Sequence, residues 1–95
     1  MPLFVVTCLD HEGALERRLA VREAHLAFLD ARQAMVRLAG PLLDDAGAVI
    51  GSLLIVEAED RPAVEAFAAE DPYSRAGLFR STEIRAWRVS VGALT

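Results

Sequence analysis

The sequence predicts an α+β fold in which two helices cover one face of a four-stranded sheet. Three observations carry that prediction. Strand-like and helix-like segments follow in the order strand, helix, strand, strand, helix, short helix, strand. That is the β-α-β-β-α-β pattern of a ferredoxin-like sandwich. The strand segments at Leu3–Leu9 and Leu53–Val56 are apolar on both faces, whereas the helical segments are amphipathic. Polar turns at residues 10–13 and 44–47 and an Asp71-Pro72 corner punctuate the order.

Each element has its own local reason. Leu3 to Leu9 is β-branched, aromatic and almost continuously apolar, so it reads as a strand buried on both faces. Cys8 lies inside it with no basic neighbour, which predicts a buried, inert thiol. Asp10-His11-Glu12-Gly13 is a polar turn that leaves His11 in solvent. Leu15 to Met35 has helical periodicity, with Leu15, Leu19, Leu26 and Leu29 on one stripe and room for a break near Leu19-Ala20. Arg22 sits on that stripe and His25 beside it, among Val21, Phe28 and Leu29. Taken alone, the pair reads as a core-edge histidine and an arginine that snorkels to water. Met35 to Leu42 is a second strand; its Gly40-Pro41 marks an edge or a bulge, because proline cannot donate to a ladder. Gly51 to Glu57 is a third strand. Gly40 and Gly51 suit a close approach of ligand or backbone, and simple hairpin geometry serves equally well.

Asp60 is an N-cap with Pro62 just inside the next helix, which presents Val64, Phe67 and Ala68 and ends at Glu70. Proline at 72 pushes Asp71 out of the α region, so the helix stops there. Asp71 can then cap a new turn opened by Pro72 and closed at Gly77. Read locally, Asp71 is only that cap. Phe79 to Val91 is the last strand; Ile84, Ala86 and Trp87 give it mixed polarity that does not assign its faces.

Composition narrows the function classes. The 95 residues predict one domain spanning 1–95. Hydrophobic residues make up 54% and mean hydropathy is +0.30, rich for a chain this small. No apolar run approaches the ~20 residues of a membrane span, and no signal-peptide pattern opens the chain. Cys8 is the one cysteine, so no intrachain disulfide forms and a reducing cytoplasm is expected. Net charge is −4 with the basic residues scattered, which argues against nucleic acid as a partner. The bare face of such a sheet would expose more apolar surface than a soluble monomer tolerates. A homodimer packed sheet to sheet is therefore expected.

The runs Arg17-Arg18-Leu19-Ala20-Val21-Arg22-Glu23-Ala24-His25-Leu26, Ala39-Gly40-Pro41-Leu42, Gly51-Ser52-Leu53 and Asp71-Pro72-Tyr73 with Ala76-Gly77-Leu78 together resemble the YciI-like (YCII-related) family. The likeness extends nearly end to end, including Ala86-Trp87-Arg88. It implies a dimeric α+β barrel, akin in fold to muconolactone isomerases. It also implies an active site of a histidine and an aspartate, here His25 and Asp71, with Arg22 the matching arginine. Most such proteins have no assigned reaction; a few resemble dehalogenases of chlorinated muconolactones, so lyase, isomerase or dehalogenase-like activity is implied.

With that resemblance, the site reading of His25 and Asp71 overtakes the local one. A carboxylate bound to one ring nitrogen fixes the tautomer and leaves the other nitrogen to take a substrate proton. Arg22 would grip a substrate carboxylate. Tyr73 and Ser74 are candidates for orienting hydrogen bonds. Two histidines, one of them in a loop, make no metal site, and no cofactor is expected. The resulting expectation is acid–base chemistry on a small, anionic molecule such as a lactone. The alternative is a non-catalytic dimer that binds a small ligand or serves as an accessory domain.

Overall fold

Seven elements form in the predicted order: β1 (Leu3–Asp10), α1 (Leu15–Asp30), β2 (Val36–Leu43), β3 (Val49–Glu57), α2 (Arg61–Glu70), α3 (Pro72–Arg75) and β4 (Phe79–Trp87). The structure, a computed structural model, describes residues 1–94. All neighbouring strands are antiparallel, in the order β2-β3-β1-β4. This is the ferredoxin-like arrangement, with the first and third strands central.

The boundaries have physical causes. Gly and Pro are absent from residues 14–30, so α1 runs unbroken past Leu19-Ala20. It stops at Asp30, short of the expected Met35, and residues 31–35 turn into β2. The last strand ends at Trp87 and not at Val91, because its partner begins there: Trp87 faces Leu3 across the ladder, and β1 has no earlier residue to pair. Pro41 lies on β2, an edge strand, and the ladder slips on either side of it. Asp60 caps α2 through its carboxylate and the Ala63 amide, 3.0 Å apart. Gly77 takes a left-handed φ of 69° just after α3, which an L side chain would resist.

Alternation along the strands sends Phe4, Val6 and Cys8 of β1 and Leu54 and Val56 of β3 to the helix side. They bury against Val64 and Phe67 of α2, with Phe28 and Leu29 of α1 packed alongside. Cys8 is buried, and burial pushes its thiol up to about 11, so it is the inert residue expected. His11 is exposed in its turn.

Helix α1 overturns one expectation. Leu15, Leu19 and Leu26 are 54%, 61% and 43% exposed, whereas Arg18 and His25 are buried at 6% and 7%. At 3.6 residues per turn, Arg18 and His25 lie roughly 80–100° round the helix from the middle of Leu15, Leu19 and Leu26, with Arg22 between and Leu29 on the buried side. The leucines therefore border a cleft instead of filling the core.

Gly51 answers the question of what approaches it. A Cβ there would overlap the carbonyl oxygen of Cys8 on the neighbouring strand. Backbone is a poor neighbour to displace, so Gly51→Ala should lose about 1–3 kcal/mol or more of stability, read as a lower urea midpoint. Gly40→Ala, with nothing within 4 Å, should lose far less.

Candidate active site

Asp71 holds two structural positions at once. It ends α2 with extended backbone and caps α3, its Oδ1 accepting from the Tyr73 amide at 2.9 Å. The same carboxylate meets Nδ1 of His25, at 2.9 Å to Oδ1 and 3.1 Å to Oδ2. Both side chains are buried. An ionised carboxylate only accepts, so Nδ1 carries the proton and Nε2 is left as the free basic nitrogen. No hydrogen bond reaches Nε2 among the described residues, and none of their buried polar side-chain atoms lacks a partner. Nε2 therefore opens onto the space His25 lines.

That space is a cleft of about 200 Å³ between α1, the β2–β3 pair and α3. His25, Arg22, Arg18, Ser52 and Tyr73 supply its polar groups, and Leu15, Leu19, Leu26, Pro41 and Leu54 are among its apolar walls. Arg22 is exposed and has no carboxylate partner among the described residues, so its charge is available to a ligand. Tyr73 is fully buried and stacks on the imidazole, centroids 3.9 Å apart at 15°. Burial pushes its phenol up, while the Arg18 and Arg22 guanidiniums pull the other way. Ser74 is not brought to this cleft. One residue along a helical turn rotates it about 100° away from Tyr73, and it lines a hollow with Ala68, Thr82 and Ile84 instead.

Three further residues meet here without any local mark in the sequence. Arg18 Nε lies 2.8 Å from Asp10 Oδ2 and its Nη2 lies 3.1 Å from Oδ1, a two-point grip. Nη2 also donates to Ser52 Oγ at 2.7 Å. Desolvation works against the Arg18 charge, but the Asp10 carboxylate more than offsets it, and its pKa stays raised. No group of three or more His, Cys, Asp or Glu side chains is placed to hold a metal among the described residues. No helix of theirs is long and apolar enough to cross a membrane.

The chain is thus a ferredoxin-like α+β protein with a buried His–Asp pair at an open cleft. The chain belongs to the YCII-related domain family, whose model matches residues 2–88. A Haemophilus influenzae protein is 38% identical over 93 residues, covering 90% of this chain and 95% of its own. Protein YciI of Escherichia coli is 37% identical over 94 residues, covering 90% and 96%. Among solved structures, the 5-chloro-2-hydroxyhydroquinone dehydrochlorinase TftG from Burkholderia phenoliruptrix, in complex with 2,5-dihydroxybenzoquinone, superposes with a TM-score of 0.82 at 37% identity over 90% of this chain and 93% of its own. An antibiotic biosynthesis monooxygenase shares the fold at a TM-score of 0.56 and 14% identity, covering 96% and 100%.

Removing one partner of the buried Arg18–Asp10 pair should be costly, because it leaves the other charge unmatched. Asp10→Ala should lose about 3–5 kcal/mol in urea unfolding, and the apolar double replacement Asp10→Leu with Arg18→Met should recover most of it.

Proposed function

We propose that this protein is an enzyme in which His25, oriented by Asp71, moves protons on a small, acidic, ring-shaped substrate. The observation that carries this reading is the 2.9 Å contact between His25 Nδ1 and Asp71, which leaves Nε2 facing a cleft. Arg22 would hold an acidic oxygen of the substrate at the cleft's open side, and Tyr73 would keep the imidazole in plane by stacking on it. The likeness to a dehydrochlorinase of a chlorinated hydroxyhydroquinone supports the same chemistry. Loss of HCl from such a ring needs a proton placed on the carbon that bears chlorine. Two hydroxyl protons must leave in all, one as that carbon is protonated and the ring takes a keto form, the second as chloride departs with the C–Cl bonding pair. All three are proton transfers, and one imidazole alternating between base and acid serves them.

Chlorinated hydroxyhydroquinones, lactones and small carboxylic acids form the substrate panel, with chloride release and absorbance as readouts. On whichever compound turns over, His25→Ala and Asp71→Asn should each reduce kcat by about 10²–10⁴-fold. The double variant should be little worse than His25→Ala, since the pair acts as a unit. Arg22→Ala should act mainly on KM. A ligand that binds His25→Ala as tightly as wild type and is never converted overturns the reading.

The proposal includes a homodimer. The sheet face away from the helices carries Leu3, Val5, Leu9, Leu38, Leu53 and Trp87, as strand alternation and register dictate. Leu38 and Trp87 are 53% and 42% exposed. A second copy packed on this face would bury on the order of 800 Å² per subunit. Sedimentation equilibrium at micromolar protein should give twice the 10.3 kDa chain mass; a clean monomer rejects the interface.

A further inference from the structure

Ser52 lies on β3, facing the helices, and its residue is 4% exposed. Its Oγ accepts from Arg18 Nη2 at 2.7 Å. A guanidinium has no acceptor, so the serine proton cannot point back at Arg18. No hydrogen bond donated by Ser52 occurs among the described residues, and Ser52 lines the cleft that His25 lines. The hydroxyl is thus held with its acceptor side occupied and its donor side open.

Arg18 makes that donor stronger without presenting a bare charge. Its guanidinium is gripped at two points by Asp10, so the pair is neutral as a unit, while the Nη2 hydrogen bond polarises the serine O–H. Arg18 also lies over the Tyr73 ring, 4.7 Å from its centroid, which adds to what holds it in place. A neutral, polarised, single donor fits a carbonyl, enolate or phenolate oxygen. It does not fit a phosphate, which wants several donors and net positive charge. At about 200 Å³ the cleft is smaller than a drug-sized pocket, which limits the occupant to one small ring.

We infer that Ser52, held by Arg18, forms an oxygen-binding subsite in this cleft, taking a carbonyl, enolate or phenolate oxygen of a small planar ring. The inference rests on the reading of the cleft as a small-molecule acid–base site. On that reading the ring has two handholds: Arg22 for its most acidic oxygen and Ser52 for an oxygen on which charge develops as His25 moves the proton. A donor aimed at developing charge stabilises the transition state more than the ground state.

The test uses 2,5-dihydroxybenzoquinone as probe, with calorimetry on wild type and Ser52→Ala and a crystal structure of the wild-type complex. Ser52→Ala should weaken binding about tenfold to a hundredfold. In the complex, Ser52 Oγ should lie within about 3.2 Å of a probe oxygen. Unchanged affinity in Ser52→Ala, or a bound probe with no oxygen near Ser52, overturns the subsite and leaves the His25–Asp71 reading standing. If Ser52→Ala does not fold, the complex decides alone. Failure of wild type to bind the probe at millimolar concentration overturns the ring-substrate reading and the subsite with it.

Discussion

Two buried carboxylates, Asp10 and Asp71, determine which way α1 faces. Asp10 meets Arg18 near the start of the helix and Asp71 meets His25 two turns later. Turning α1 by the roughly 80–100° that separates Arg18 and His25 from Leu15, Leu19 and Leu26 would bury those leucines more fully. They are about half exposed, so each would gain roughly half of the 1.5–3 kcal/mol of a full burial. The same turn would leave both carboxylates without partners, at about 3–5 kcal/mol for each broken buried pair. The second loss exceeds the first. The pairs contribute little net stability against water, yet they fix the orientation of α1, because the alternatives strand a charge.

That orientation brings the imidazole to the cleft. Asp71 is tied to the Tyr73 amide and to His25 together, so it cannot swing away from the ring without uncapping α3. The imidazole is held from the side by Asp71 and across its face by Tyr73. Its tautomer and its plane are both set by these contacts. Leu15, Leu19, Leu26 and Leu54 are among the apolar walls around the remaining polar groups, while Arg22 stays exposed.

The order of elements was legible because period, proline and turn residues act locally. The Asp71-Pro72 corner is the clearest case: proline alone forces the break that delivers the carboxylate. The facing of α1 was not legible. A leucine stripe has the same period whether it meets a core or borders a cleft, and only the distant positions of Asp10 and Asp71 decide between them. The Arg18–Asp10–Ser52 group joins residues 8 and 34 positions apart, and no one of them stands out in its own segment. Ser74 shows the converse: next to Tyr73 in sequence, it is turned away by a single residue step of α3. The end of β4 was set by the start of β1, a partner rather than a local signal.

The apolar surplus of the sequence is divided between two surfaces. One is the outer face of the sheet, where Leu38 and Trp87 are exposed. The other is the leucine border of α1, which lines the cleft together with Ala39, Pro41 and Val49. A flat ring entering there would shed water against aliphatic side chains before its oxygens reached Arg22, His25 and Ser52. Entry would then be driven by the ring's apolar faces, and discrimination would fall to where its oxygens sit. On the proposed reading, α1 would be amphipathic toward a ligand as well as toward the protein.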